Sequence, residues 1–261
     1  MLTNIKVLAV IPARWASTRF PGKPIADILG KPMVQWVFEQ VQKSNLVNDV
    51  VVATDDKRIY DVVCEFGGNA VMTLPNHQSG TDRAAEVAEK FDCDIVVNIQ
   101  GDEPLIPLEN IDLVIKPLIA STELSASTLM IGILNLSEML DPNICKVVVN
   151  KEGYALYFTR ATVPYNRDSS IGNNISINEN VGLKVLGYKH IGIYAYTKSF
   201  LLKFSKLKVS RLEGLEKLEQ LRILENGYSI MVTETALNSI GVDRPEDLVN
   251  VEAVIKKKKT N

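Results

Sequence analysis

The chain has 261 residues, 46% of them hydrophobic and 23% charged, with 29 Lys and Arg against 31 Asp and Glu for a formal net charge of −2. So apolar and balanced a composition excludes a disordered chain, a collagen-like repeat and a protein that holds nucleic acid through bulk positive charge. The length suits one large domain or two small ones, enough to bury roughly 70–75% of the unfolded surface.

The first apolar run lies within residues 1–11 and stops at Pro12 and Arg14. It is too short for a signal-peptide core with its cleavage site, and far from the roughly 20 apolar residues of a membrane span. No later stretch comes closer, so a cytoplasmic protein without a membrane partner is expected. Lys6–Ile11, Asp49–Thr54, Asn69–Thr73 and Asp94–Gln100 are short, continuous, β-branched runs, the pattern of parallel strands covered on both faces. Helical patterns fall between them near 32–44, 56–66 and 79–91. Pro32 suits a first helical turn and Gly67-Gly68 a stop. Alternating strands and helices predict an α/β sheet with right-handed crossovers.

Past residue 107 the rhythm changes. A helix near 107–121 precedes strand patterns at Ala126–Leu134, Cys145–Asn150, Tyr154–Arg160, Val185–Tyr196 and Ser229–Thr235, and helices near 212–226 and 245–258 close the chain. Glu152-Gly153 between two strand runs reads as a hairpin turn, so part of the sheet is mixed or antiparallel. Residues 166–184 are polar and rich in Asn, Ser and Gly, the composition of a functional loop or an arm. Cys64, Cys93 and Cys145 are scattered and never form Cys-x-x-Cys; they read as small buried hydrophobes in a reducing compartment. The expectation is one domain over 1–261, in three parts at 1–125, 126–211 (β-rich) and 212–261. Lys256–Lys259 reads as a solvated helix end.

Ligands of open α/β sheets bind beyond the carboxyl ends of the strands. The segment Pro12–Lys23 follows the first strand and carries Arg14, Arg19 and Lys23 without an acid, among the small residues Ala13, Ala16, Ser17 and Gly22. Several cations on a small-residue loop suit a polyphosphate, whose oxygens need donors from different directions. Each residue alone would be an ordinary basic surface residue; the position after the first strand favours the phosphate reading for the group. There is no GxGxxG, and neither Gly22-Lys23 nor Gly30-Lys31 completes a GxxxxGK[ST] loop, so the dinucleotide and P-loop readings fall. Asp102, after the fourth strand and Gly101, is well placed for Mg²⁺, which takes a few carboxylates together with phosphate oxygens and water. Asp243, within Gly241–Asp247, is either a second metal ligand or the cap of the last helix, with Glu246 completing the cap. His190 on an apolar strand reads as a satisfied interior histidine, His77 as part of a solvated loop, and Glu213, Glu216 and Glu219 mostly as a solvated helix face.

Eight motifs occur in order. They are Ile11–Lys23, Ala53–Asp56, His77–Arg83, Asn98–Pro104, Tyr157–Ala161, His190–Tyr194, Leu218–Arg222 and Gly241–Asp243. Together they resemble the 3-deoxy-manno-octulosonate (Kdo) cytidylyltransferase family over nearly the whole chain. The resemblance implies a nucleotide-diphospho-sugar transferase-like α/β fold of three layers, with a mixed, mostly parallel central sheet and a smaller β-rich excursion. It implies CMP transfer from CTP to the anomeric hydroxyl of the sugar acid for lipopolysaccharide synthesis, with Mg²⁺ as cofactor, pyrophosphate as co-product and a homodimer as assembly.

Carried onto this chain, Arg14, Ser17 and Lys23 would hold the triphosphate, and Ala13, Ser79, Gly80 and Arg83 would surround the cytidine. Asp102 and Asp243 would bind the metal and, with Arg14 and Lys23, form the catalytic set. Arg19, Gln100, His190, Tyr194, Glu219 and Gln220 would face the sugar. Trp15 stands where the family usually has tyrosine. Val209–Glu216 and Tyr188-Lys189-His190 look closer to relatives that activate 8-amino-3,8-dideoxy-manno-octulosonate, so that acceptor is the alternative. A silent nucleotide-binding protein on the same fold is the rival of another class. A glycosyltransferase would commonly carry Asp-x-Asp, which Gly101-Asp102-Glu103 does not match.

Overall fold

A computed structural model describes residues 5–16, 19–165, 167 and 185–260. The loop expected over 166–184 therefore lies, apart from Arg167, outside the described residues, as does Ser17.

In chain order, β1 (Val7–Ala13) leads to a single 3-10 turn at Lys23–Ile25, the two-residue strands β2 (Asp27–Ile28) and β3 (Lys31–Pro32), and helix α1 (Met33–Val41). There follow β4 (Asp49–Thr54), α2 (Lys57–Glu65), β5 (Ala70–Met72), α3 (Gly80–Glu89), β6 (Ile95–Asn98) and α4 (Leu108–Ala120). The β-rich part holds β7 (Ala126–Ile133), a short α5 (Leu136–Leu140), β8 (Lys146–Val149), β9 (Ala155–Thr159) and β10 (Gly187–Thr197). Helices α6 (Lys198–Phe204), α7 (Arg211–Glu216) and α8 (Gln220–Glu225), strand β11 (Ile230–Glu234) and helix α9 (Asp247–Thr260) complete it.

Nine strands form one sheet whose main path is β11-β7-β10-β6-β1-β4-β5; β8 pairs with β10 and with β9. Along that path only the two neighbours of β10 are antiparallel, so the central sheet is mixed and mostly parallel. The continuous apolar runs follow from this arrangement, because alternate side chains of a strand face opposite sides. Val7, Ala9 and Ile11 pack with residues of α1, α2 and α4, whereas Leu8 and Val10 pack with α3, α6 and α8. Both faces of β1 are thus sealed and the architecture has three layers. Each fully buried Val, Leu or Ile in them contributes about 1.5–3 kcal/mol. A third cluster joins Ile28 and Met33 to Val242, Val251 and Ile255, fastening α9 back onto the β2–β3 ribbon.

Local chemistry sets the ends of the elements. Ser79 and Asp82 form a reciprocal capping box at the start of α3, Oγ of Ser79 accepting from the Asp82 amide at 3.1 Å. The expected hairpin is present as β8–β9: Gly153 takes φ +87°, and Asn150 Oδ1 accepts the amides of Glu152 and Tyr154. Strand β10 slips register against β7 between Ile191 and Tyr194, a bulge that surrounds Gly192.

Two expectations need correction, and four short elements were not anticipated. The helix expected over 212–226 is two short helices, because Lys217 adopts a left-handed φ of +54° and closes α7 with its amide on Glu213 O. Tertiary ties on both sides of the break, described below, hold that strained residue. The elements β2, β3, α5 and α6 carry too little periodic pattern to be legible in the sequence. Cys64 is exposed rather than buried, while Cys93 and Cys145 are half-buried and burial pushes the Cys145 thiol up to about 12.

Candidate active site

The carboxyl ends of β1 and β6 lie side by side, and two glycines allow the contacts there. A Cβ on Gly101 would come within 2.8 Å of the Pro12 carbonyl oxygen, so only glycine lets the backbone before Asp102 pass the end of β1. Gly22, at φ +72°, lies under the Trp15 ring and donates its amide to Trp15 O at 3.0 Å, closing the cationic loop. The Arg58 guanidinium caps the other side of that ring, 3.3 Å from its centroid. The aromatic at position 15 is therefore the loop's packing core.

That loop delivers its cations to the two aspartates. Lys23 Nζ donates to Asp102 Oδ2 at 2.5 Å and to Val242 O at 2.8 Å, while the Val242 amide donates to Asp102 O at 2.8 Å. Arg19 Nη1 donates to Asp243 Oδ2 at 3.0 Å, both side chains 59% exposed. An exposed pair of this kind adds little stability. Asp247 Oδ2 accepts the amides of Asp243 and Arg244, both at 2.8 Å, so Asp247 ties the turn before α9, while the Asp243 carboxylate accepts from Arg19. No group of three or more His, Cys, Asp or Glu that could hold a metal occurs among the described residues. Two aspartates joined through the 242–102 backbone contact, each now neutralised by a loop cation, are a donor set that fits Mg²⁺ shared with phosphate oxygens.

Arg14 follows β1, and among the described residues its guanidinium makes no hydrogen bond. Burial, and then the Arg83 charge, lower its pKa, outweighing Asp55, Asp82 and Glu219. Ala13 is buried at the end of β1, and a Cβ on Gly80 would meet Pro12 Cγ at 3.3 Å, so the first turn of α3 also sits on this strand end.

Arg83 is fully buried, hydrogen-bonded to Thr73 Oγ1 and, through Nη2, to Asp55 Oδ2 at 3.0 Å. Its partner Asp55, which follows β4, is itself only partly exposed. Asp55, Thr73 and Thr81 belong to this cluster and were not singled out by the sequence. The Ala53–Asp56 and His77–Arg83 motifs contain Asp55 and Thr81, whereas Thr73 lies in neither.

The residues expected to face the sugar divide in two. Gln100 is exposed and donates Nε2 to Gly192 O at 3.3 Å, so the β10 bulge presents its carbonyl to the site. Arg19 is likewise exposed. The other four are tied into the structure. His190 Nε2 lies 2.9 Å from Thr128 Oγ1, whose hydroxyl donates to Ile193 O at 2.7 Å, and the ring packs against Phe158 and Tyr194. Desolvation there lowers the His190 pKa to about 3. Tyr194 is buried and stacks on Tyr196. Glu219 accepts from Ser79 Oγ and Thr81 Oγ1, both at 2.9 Å, and burial raises its pKa. Gln220 is buried and donates to Cys145 Sγ at 3.6 Å.

The solvated-face reading of Glu213, Glu216 and Glu219 therefore does not hold. Glu213 forms a two-point pair with Arg222, and Glu216 accepts from Thr159 Oγ1 and the Arg160 amide. These contacts anchor the chain on both sides of Lys217. His77 is not simply solvated either, since its Nε2 lies 2.6 Å from Glu86 Oε2. Glu103, next to Asp102, is a buried carboxyl whose pKa burial raises to about 7, with Ser239 opposing and the Asp102 charge adding.

A model of the cytidylyltransferase family matches residues 8–232. The 3-deoxy-manno-octulosonate cytidylyltransferase of Geotalea uraniireducens is 52% identical over 253 residues, covering 97% of this chain and 100% of that one. The Fusobacterium nucleatum protein of the same name is 47% identical over 97% of this chain and 98% of its own. Among solved structures, CMP:2-keto-3-deoxy-manno-octonic acid synthetase complexed with CTP is 40% identical, with a TM-score of 0.88 over 97% of this chain and 99% of that one. At 13% identity and a TM-score of 0.61, 4-diphosphocytidyl-2C-methyl-D-erythritol synthase from Anaerococcus prevotii shares the fold. With its three-layer sheet and the charged edge built on β1 and β6, this chain belongs to the 3-deoxy-manno-octulosonate cytidylyltransferase family.

Proposed function

We propose that the protein transfers CMP from CTP to the anomeric hydroxyl of Kdo, giving CMP-Kdo and pyrophosphate for lipopolysaccharide synthesis. The observation that carries this reading is the meeting of the 14–23 loop with Asp102 and Asp243 at one sheet edge. Relatives about half identical carry the activity in their names. Attack of a hydroxyl on the α-phosphorus asks mainly for positioning and charge neutralisation from the protein. Arg14, which makes no hydrogen bond among the described residues, and Lys23, held on Asp102, are the cations for the departing pyrophosphate. Asp102 and Asp243 would hold Mg²⁺, which would neutralise phosphate charge and lower the pKa of the sugar hydroxyl. Arg19 and Gln100 offer donors to the sugar acid, and Glu219 holds Ser79 and Thr81 of α3 against the nucleotide side. No histidine base is required, and a His190 with a pKa near 3 is neutral at physiological pH.

The assembly proposed is a homodimer. The β-rich part exposes Leu134, Leu140, Leu156 and Tyr165, large apolar side chains that a second copy could cover. The protein is read as cytoplasmic; no helix among the described residues is long and apolar enough to cross a membrane. The segment 209–216 keeps the 8-amino sugar as the second acceptor. Pyrophosphate release with CTP and Mg²⁺, measured on equal concentrations of the two octulosonates, tests the reading. Preference for Kdo supports it, a strong preference for the amino sugar replaces the acceptor, and release with neither refutes the transferase. Light scattering gives the assembly.

A further inference from the structure

Lys146 opens β8 with a fully buried side chain, and its Nζ donates to three backbone carbonyls: Asp141 at 2.5 Å, Ile144 at 2.9 Å and Arg160 at 3.1 Å. An ammonium removed from water costs several kcal/mol unless every N–H finds an acceptor. Here three N–H groups meet three carbonyls and no carboxylate is hydrogen-bonded; burial lowers the pKa of the lysine and the nearby Asp141 charge opposes that. An apolar side chain would fill the same space without that demand. The lysine's distinctive property is that it joins three chain points.

Those points belong to the 141–144 turn before β8 and to the residue just after β9. The lysine thus closes the open end of the hairpin. Two residues assigned to the acceptor side hang from the pinned segment. The His190 amide donates to Cys145 O at 2.9 Å, and Gln220 Nε2 donates to Cys145 Sγ. Arg160 extends the frame, its amide on Glu216 Oε2 and its guanidinium on Glu216 O and Pro142 O. The nucleotide-side groups Arg14, Lys23 and Arg83 make no hydrogen bond to this frame among the described residues.

We infer that Lys146 is a positioning residue for the sugar acid, holding the β8–β9 wall on which His190 and Gln220 are anchored behind the acceptor side, while CTP binds independently of it. The inference rests on the function proposed above. Its test uses K146M, which removes the donors, and K146R, which keeps the charge but replaces three converging N–H groups with a planar fork. With whichever octulosonate the wild-type protein turns over, both variants should raise the sugar KM roughly 5- to 30-fold and leave the CTP KM within about twofold. K146R decides the matter where K146M does not fold. An unchanged sugar KM, or a CTP KM that rises in step, overturns the inference. Hydrogen exchange at the His190 and Arg160 amides reads the same pin without substrate: faster exchange in K146R is expected, and unchanged protection refutes it. A wild-type protein inactive on both sugars would refute the proposed function, while the exchange measurement would still judge Lys146.

Discussion

Gly101→Ala adds one methyl group at the point where β6 passes the end of β1. Its Cβ would lie 2.8 Å from Pro12 O and 3.4 Å from Ile11 Cγ2. A methyl carbon does not approach a backbone oxygen so closely, and the oxygen belongs to a residue held in register against Ala53 of β4. Relief requires a backbone shift of about 0.5 Å, which passes directly to Asp102. Overpacking of this kind costs about 1–3 kcal/mol. For a domain of this size that lowers Tm by about 2–12 °C. The displaced carboxylate should lower kcat by about 10- to 100-fold. Gly214→Ala is the control: nothing lies within 4 Å of its Cβ and the residue is inside α7, so it should hold or raise stability by up to about 1 kcal/mol. Calorimetry and pyrophosphate release on both variants decide. A G101A protein melting within about 1 °C of wild type with unchanged kcat would refute the close-approach argument.

Asp247→Ala should cost about 1 kcal/mol by freeing the amides of residues 243 and 244, whereas Asp243→Ala should leave the melting curve in place and lower activity. The reverse pattern in paired melts and assays would return Asp243 to a capping role. Asp102→Asn should retain its far-UV circular dichroism and lose at least about 100-fold in kcat/KM, because a neutral amide holds Mg²⁺ poorly; wild-type-like rates would remove the metal assignment. His190 titrates at about 3 in the fold against 6.5 unfolded, so between those values the unfolded chain binds the extra proton. The stability it preserves is complete above pH 6.5 and lost as pH falls toward 3, by at most about 5 kcal/mol. His190→Gln should flatten that acid limb in urea titrations; a parallel curve would show that the ring is not the cause.

Every strand expected in the first half exists, and Asp49–Thr54 has the expected ends, because burial on both faces writes an unbroken apolar run into contiguous residues. The break at Lys217 left no such trace. Its left-handed backbone is held by Glu216 on Arg160 and by Glu219 on Ser79, partners more than fifty residues away. For the same reason Glu216 and Glu219 look like a solvated face when only helical spacing is considered.

The site divides along the same line. Residue type and order by themselves determined the α/β class, the cationic loop after β1 and the two aspartates, since cations, carboxylates and strand ends are local properties. Only the tertiary structure decided which of them meet. It paired Lys23 with Asp102 and Arg19 with Asp243, tied the Asp243 amide to Asp247, and bonded Arg83 to Asp55. It also buried Lys146 on three carbonyls from two loops. The Lys23–Asp102, Arg19–Asp243 and Arg83–Asp55 contacts depend on close approach between segments distant in the chain, and distance in space is what a linear pattern of residue types does not encode.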